Sequence, residues 1–426
     1  MAIVNFNNRK KYVFRNLPVQ IKSEDGETML FPCIVLWNID IDVPVAYPGY
    51  ERWLFRLSQA ELQSYQTLKK KAYNLCSFLN YILWNSYISR ISDLELNDIR
   101  GWIMDFRKTS DGTERDPDSW NRGIADVYAF LSAYYEANRD MQKFKYMSTD
   151  LLEIQIVKNP ETKRKSVIRS YNKFSVKAPK KLKKKNRLLL PGYLDMILCE
   201  CKKYDPEITF AVVLQAYAGL REGEVVNLTR GKLKLVYAGF GRIGKIVLDL
   251  TEEAPFVVNP AFGQIKVPRK QEVYIDFVND TVTFYNQHCD LLDFAGASRE
   301  TDAPLFLNKY GKPLSVAAYS HRLKTVFQEH FVPDLKRICE LQGSWAQHAP
   351  YIEAFEKEYP GAHMFRHWFT MHLLNEGISS DEITKWRGDT SRESLLDYIH
   401  VNADMIRAYQ DSAYTFQQTI LEEILL

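Results

Sequence analysis

The chain has 426 residues, of which 46% are hydrophobic and 26% charged, the composition of a globular protein with two or three domains. No run of about 18 apolar residues occurs, and the first residues lack the apolar stretch of a signal peptide, so we expect neither a membrane span nor secretion. Six scattered cysteines are typical of reduced thiols rather than of a disulfide framework. These features favour a cytoplasmic protein.

The net charge of +3 is unevenly distributed along the chain. Residues 158–187 contain 13 Lys or Arg and one acidic residue, a net charge of +12, which leaves −9 for the remainder. Such a stretch is usually a solvated linker, but a basic connector is also suited to following a phosphate backbone. The residues in it that we expect to bind nucleic acid are Lys163, Arg164, Lys165, Lys180, Lys181, Lys183, Lys184, Lys185 and Arg187.

The first fifty residues are predicted to be rich in strands. Residues 12–14 and 29–37 have β-type composition, and the polar residues 24–27 between them indicate a turn. We therefore predict a separate segment, 1–50, to which the sequence assigns no role.

Residues 51–157 carry the helical period of apolar residues and are predicted to form a compact all-helical block. Ser58 and Ser92 are each followed three residues later by a glutamate, the signature of a capping box, and are predicted to begin the first two helices. A third helix is predicted from about Asp118. The basic stretch 158–187 is then the linker to the next block.

Residues 188–426 are predicted to form a second block that is mainly helical and of α+β type. Helices are predicted over 193–201 and 208–218, and helices return towards the carboxyl end. Between them lie short β-type runs that predict a small antiparallel sheet, at 233–237, 245–250, 263–267 and 272–277. The fold class is thus multidomain, an all-α block followed by an α+β block.

Two familiar patterns in this block have simpler explanations. Residues 239–244 match G-x-G-x-x-G, but a strand signature rather than a helix follows, so we predict a hairpin turn instead of a dinucleotide site. His363 and His367 are one helical turn apart, but Met364 stands where a metalloprotease helix has its general base. We therefore expect no metal.

Three other elements carry little weight alone but fit together. They are residues 218–224 (AGLREGE), residues 363–366 (HMFR) and Tyr398 within 394–400 (SLLDYIH). Together they resemble the catalytic boxes of the tyrosine recombinase (phage integrase) family. Tyr398 follows Arg366 by 32 residues, an offset at which that family places its nucleophile. The resemblance covers residues 188–401, extends loosely to the helical block and does not cover the first fifty residues.

The resemblance implies metal-free, cofactor-free chemistry at a DNA phosphodiester. Tyr398 would attack the phosphorus and form a 3′-phosphotyrosine. Arg221 and Arg366 would grip the non-bridging oxygens, where negative charge develops. His363 would assist proton handling at the tyrosine or hydrogen-bond the phosphate.

In the family that the chain resembles, a lysine on a β-hairpin protonates the departing 5′-oxygen. Lys266, seven residues before Val273, matches the usual register, and Lys270 in the predicted turn is the alternative. Glu224 is expected to support the site by orienting Arg221 or its helix.

One site position departs from the family pattern. Asp389 stands 23 residues beyond Arg366, where the family usually has histidine or tryptophan. A carboxylate beside a phosphate needs a partner, and Arg387 and Arg392 are the candidates. The departure is compatible with reduced activity or with a regulatory relative. The long interval between Arg221 and Arg366 predicts two insertions, around 245–262 and 331–360.

The function that the resemblance implies is site-specific cutting and rejoining of duplex DNA, for integration or excision of a mobile element in a bacterial cell. It also implies a clamp of the two blocks on DNA, a homotetramer on two sites and accessory proteins as further partners. The apolar tail after Tyr398 would dock either on its own domain or on a neighbour. A catalytically weak DNA-binding accessory protein and a type IB topoisomerase-like enzyme are the alternatives.

Overall fold

The computed structural model describes residues 6–22, 28–54, 64–86, 88, 90–146, 153–158, 165–170, 176–179, 189–190, 192–258, 265–341 and 345–389. The chain divides into two compact units, Met1–Lys183 and Lys184–Leu426. Within the described ranges, no helix combines the length and the apolar character needed to cross a membrane.

The first unit begins with a three-stranded antiparallel sheet. Its strands are β1 (Tyr12–Lys22), β2 (Thr28–Asn38) and β3 (Val43–Ala46), in that order. The register pairs Tyr12 with Asn38 and Lys22 with Thr28, so β1 and β2 form a long hairpin. The predicted strands at 12–14 and 29–37 are confirmed.

The helices of the first unit follow the sheet. They are α1 (Glu51–Leu54), α2 (Tyr65–Asn85), α3 (Leu96–Asp105) and α4 (Pro117–Asn138). The predicted helical block is confirmed, although its caps differ. Ser64 caps α2, whereas Ser58 lies outside the described residues. Glu95, not Ser92, forms the capping box of α3, because Ser92 lies in a 3₁₀ turn.

The sheet shares its core with these helices. Ile34 of β2 is fully buried in one cluster with Phe78, Trp102 and Phe130. The Asn80 side chain of α2 pairs with the backbone of Phe14, accepting from its N–H at 2.6 Å and donating to its carbonyl at 3.1 Å. Strands β1 and β2 therefore pack onto the helical block.

The stretch predicted as a linker contains regular structure. Strands β4 (Glu153–Lys158) and β5 (Lys165–Ser170) form an antiparallel hairpin that pairs Lys158 with Lys165. Residues 165–170 of the predicted basic linker therefore form a strand. The adjacent β-branched residues Val167 and Ile168 favour a strand in spite of the high charge.

The second unit contains nine helices and three strands in its described part. In chain order these are α5 (Tyr193–Tyr204), α6 (Pro206–Tyr217), α7 (Glu222–Val226), β6 (Leu233–Tyr237), β7 (Ile243–Leu250), β8 (Arg269–Glu272), α8 (Val278–Phe294), α9 (Val316–Val326), α10 (Val332–Leu341), α11 (Trp345–Lys357), α12 (His363–Asn375) and α13 (Ser380–Arg387). A π turn, Phe327–Phe331, joins α9 to α10. The predicted fold class is confirmed.

The sheet of the second unit is antiparallel in the order β6-β7-β8. Gly239–Gly241 form the turn between β6 and β7, which confirms the hairpin prediction for the glycine-rich motif. Strand β7 is the central strand, so residues 245–250, at the start of the first predicted insertion, belong to the sheet. The predicted strands differ as well, because 265–268 are irregular and Ile275–Phe277 form a 3₁₀ turn.

The second predicted insertion, 331–360, is part of the folded core. It contains α10 and α11, whose Leu335, Ile352 and Phe355 are buried in the main cluster of this unit. The described residues of this predicted insertion therefore include a helical pair that buries apolar surface.

Candidate active site

The site is built around the end of the buried helix α6. All ten residues from Ile208 to Tyr217 are buried, which fixes the helix inside the unit. The chain then turns at Gly219, whose φ of +63° favours glycine. A Cβ at this position would lie 2.5 Å from the Phe369 ring of α12, so only glycine lets the two helices approach this closely. This approach brings Arg221 to the helix that carries Arg366.

Arg366 is the most deeply buried cation of the site, with 1% of its side chain exposed. It donates to the backbone carbonyls of Gly219 and Arg387, the latter at 2.7 Å, and to Asp389 Oδ1 at 2.7 Å. Burial, together with the nearby charges of Arg221 and Arg387, lowers its pKa to about 9 against the opposing charges of Asp389 and Glu224. Arg366 is therefore a cation at neutral pH, held in place by backbone groups.

Asp389 joins three arginines. Arg221 Nη2 lies 2.5 Å and Arg366 Nη2 lies 2.7 Å from the same oxygen, Oδ1. Arg387 Nε lies 3.0 Å from the other oxygen, Oδ2. The expected pairing of Asp389 with Arg387 is confirmed, whereas Arg392 lies outside the described residues. The sequence did not predict the pairing with Arg221 and Arg366.

Glu224 bonds the other terminal nitrogen of Arg221, the one that Asp389 does not contact. Its carboxylate accepts from Arg221 Nη1 at 2.9 Å and from the Arg221 backbone N–H at 3.0 Å, at the start of α7. Arg269 of β8 adds two bonds, at 2.8 and 3.0 Å. Burial raises the pKa of Glu224, but the bonds and charge of Arg269 and Arg221 outweigh it and lower the pKa below the ordinary value. Glu224 is therefore a buried carboxylate that fixes both arginines.

Arg269 is a site residue that the sequence reasoning missed. Its guanidinium links the sheet to α7 through Glu224 and also donates to the Val267 carbonyl at 3.1 Å. The signal that predicts such a residue is the buried glutamate, which needs more than one cation. That signal depends on the burial of Glu224, which the sequence alone does not give.

The two candidate lysines lie in different places. Lys266 is exposed in the irregular stretch before β8, next to Val267, which Arg269 holds. Lys270 lies within β8 opposite Asp249, so its prediction as a turn residue is wrong. Because successive strand residues point to opposite faces, Lys270 points away from the face on which Arg269 binds Glu224.

His363 is the first residue of α12 and lies one helical turn before Arg366. Its ring contacts that of His367 edge to face, with 4.8 Å between ring centroids. Tyr398, the apolar tail and the predicted DNA-binding residues lie outside the described residues, except for the backbone of Lys165 in β5.

The geometry can now be compared with known proteins. No family model matches the chain. It is 23% identical over 344 residues to a protein named tyrosine recombinase XerC from Rickettsia typhi, covering 80% of this chain and 87% of that protein. A protein of the same name from Rickettsia prowazekii is 21% identical over 383 residues, covering 89% of this chain and 100% of that protein.

Among solved structures, the fold resembles that of the Tn1549 transposon integrase, residues 82–397, in complex with circular intermediate DNA. The TM-score is 0.50 at 16% identity, and the match covers 85% of this chain and 98% of that one. The two relatives, the shared fold and the arginine boxes agree with the expectation from the sequence. The chain is thus similar in sequence to two proteins named tyrosine recombinase and shares the fold of a solved transposon integrase.

Proposed function

We propose that this chain is a site-specific recombinase that cuts and rejoins duplex DNA through a 3′-phosphotyrosine on Tyr398. One observation carries the proposal. Arg221 and Arg366 are 145 positions apart in the chain. Their Nη2 atoms nevertheless lie 2.5 and 2.7 Å from one anionic oxygen, Oδ1 of Asp389. Two guanidiniums that share one anion are suited to the non-bridging oxygens of a phosphodiester.

The reaction follows from the chemistry of these groups. The Tyr398 oxygen forms a bond to phosphorus, and the bond from phosphorus to the 5′-oxygen breaks. Arg221 and Arg366 stabilise the negative charge that grows on the non-bridging oxygens in between. Lys266 donates a proton to the departing 5′-oxygen, and His363 handles the proton of the tyrosine or bonds the phosphate. Attack of a 5′-hydroxyl on the phosphotyrosine reverses these steps, so rejoining needs no ATP.

The buried environment of Arg366 supports a catalytic role. Its bonds to two backbone carbonyls fix the guanidinium before any substrate binds. Donors that are fixed in advance stabilise a transition state without paying for reorganisation during the reaction. Removal of one such donor costs on the order of 3 kcal/mol in barrier height.

Duplex DNA is the proposed substrate. The net charge of +12 over residues 158–187 supports phosphate binding outside the site. The solved Tn1549 integrase, whose fold this chain resembles, is a DNA complex. We further propose that the chain serves integration or excision of a mobile element as a homotetramer on two DNA sites, with accessory proteins as further partners.

The test uses nicked suicide DNA that spans the flanks of the gene. The wild-type chain is expected to form a covalent protein–DNA adduct that Tyr398→Phe does not form. Binding of the same DNA without any adduct would contradict the enzyme and favour the accessory protein. Relaxation of plasmids without target sites would favour the topoisomerase-like alternative.

A further inference from the structure

A carboxylate lies between the two arginines proposed to hold the scissile phosphate. Asp389 Oδ1 accepts from both Arg221 and Arg366, while Oδ2 lies 3.0 Å from Arg387. The Asp389 side chain is only 11% exposed. An anionic oxygen of the chain itself therefore occupies the position in which the arginine pair would bind a phosphate oxygen.

A carboxylate oxygen and a phosphate oxygen compete for the same N–H groups. Both bind guanidinium groups through charge-assisted bonds of about 2.7–2.9 Å, and each N–H forms its best bond with one oxygen. Two anions at the same pair would also repel each other at close range. A phosphate oxygen that takes the Nη2 groups now bonded to Asp389 Oδ1 therefore displaces that carboxylate oxygen.

We propose that Asp389 is an internal competitor that neutralises Arg221 and Arg366 in the DNA-free chain and is displaced by the phosphate. The inference rests on the proposed function, because it takes the same arginine pair as the phosphate site. It adds that the pair is occupied before substrate binds. A neutral histidine or tryptophan at this position would not compete in this way.

The proposed exchange of the Asp389 carboxylate for a phosphate involves the side chain of this residue. The backbone is anchored at the end of α13, where Asp389 N–H donates to Thr384 at 3.1 Å and Gly388 N–H to Lys385 at 3.0 Å. The displacement that we propose changes the side-chain rotamer of Asp389 while this backbone stays in place. Arg221 is 20% exposed, against 1% for Arg366 and 3% for Arg387, so a phosphate would enter from the Arg221 side.

Loss of the carboxylate should have two effects of opposite sign. The free protein becomes less stable, because buried cations lose their partner. Its affinity for a phosphate rises, because an incoming anion no longer competes with one that is already bound. A residue with a merely structural role would show the first effect without the second.

The test measures binding of inorganic phosphate to the full-length chain by isothermal titration at constant ionic strength, with chloride as the balancing anion. Asp389→Asn is expected to bind phosphate on the order of tenfold more tightly than the wild type. Arg221→Gln in the Asp389→Asn background should remove the gain. If Asp389→Asn does not fold, Asp389→Ser is measured in the same way.

Two controls separate this effect from general loss of an ion pair. Asp389→Glu keeps the charge and should bind phosphate as weakly as the wild type. Asp205→Asn removes a similarly buried aspartate, bound to Arg322 and 15% exposed, and should show no gain. Equal phosphate affinity in the wild type and Asp389→Asn would overturn the inference, as would a gain that survives Arg221→Gln. Because the test uses no DNA, its outcome is independent of the adduct test of the proposed function.

Discussion

Replacement of Glu224 by glutamine is predicted to destabilise the second unit more than an ordinary loss of an ion pair. The Glu224 side chain is fully buried and accepts four hydrogen bonds from Arg221 and Arg269. Glutamine has nearly the same shape, but it offers a single acceptor oxygen and turns an amide NH₂ towards the guanidiniums. Arg269 then loses the carboxylate that balances its charge, and Arg221 keeps only its bond to Asp389.

The expected cost follows from burial. Removal of one partner of a buried ion pair costs about 3–5 kcal/mol, because the remaining charge stays desolvated. Glu272→Gln, in the strand that also carries Arg269, is the matched control. Glu272 lies 2.7 Å from Lys245, with side chains 42% and 47% exposed. An exposed pair of this kind is worth about 0–1 kcal/mol.

The pH dependence adds a second expectation. The folded-state pKa of Glu224 is lowered, so its contribution to stability is present above the ordinary carboxyl pKa and is lost as pH falls through the folded value. Glu224→Gln has no such titration. The difference in stability between wild type and Glu224→Gln should therefore be largest near neutral pH and shrink below about pH 4.

The assay is urea unfolding of the full-length chain across this pH range, with hydrogen exchange of α6 and α7 reporting on the second unit. At pH 7 the free energy of unfolding should fall by about 3 kcal/mol or more for Glu224→Gln and by at most about 1 kcal/mol for Glu272→Gln. Equal losses in the two variants would refute the reasoning, as would a difference that does not depend on pH.

Three further predictions concern the site. Arg366→Lys should slow formation of the covalent DNA adduct by on the order of 10²-fold or more in single-turnover assays. The reason is that a lysine ammonium cannot bond two carbonyls and an anion in the geometry of a guanidinium. An unchanged rate would contradict the role of Arg366. Gly219→Ala should lower the free energy of unfolding by about 2 kcal/mol or more. A left-handed φ alone costs about 1–2 kcal/mol, and the new methyl group would clash with the Phe369 ring. Thermal and urea unfolding measure the change, and an unchanged stability would contradict the requirement for glycine at this contact. Lys266→Ala should slow cleavage, and a substrate with sulfur in place of the 5′-leaving oxygen should restore the rate, because a thiolate leaves without a proton. Lys270→Ala should cleave at the wild-type rate. The reverse pattern would assign the role of general acid to Lys270.

The elements and the arginine boxes of the second unit could be predicted from the sequence. Apolar periodicity indicated α5 and α6, and the box around Arg221 together with the one ending at Arg366 indicated the anion site. The contacts that complete this site could not be predicted in the same way. Asp389 and Arg221 are 168 positions apart, and their bond depends on the close approach of Gly219 to α12.

The errors around the sheet have a common physical cause. The long spacing between the boxes predicts an insertion from residue 245, and pairing with β6 and β8 places residues 245–250 at the centre of the sheet. Lys270 is predicted to lie in a turn, but its pairing with Asp249 places it within β8. Register between strands is set by contacts distant in sequence, and a local pattern does not contain them.

The most direct test of the account is the identity of the residue that joins the protein to DNA. The covalent adduct formed on suicide DNA can be digested with protease and nuclease and its peptides sequenced by tandem mass spectrometry. The account predicts a nucleotide attached through its 3′-phosphate to Tyr398, and a strong loss of that peptide in Arg221→Gln. Attachment to any other residue, or an adduct through a 5′-phosphate, would contradict it.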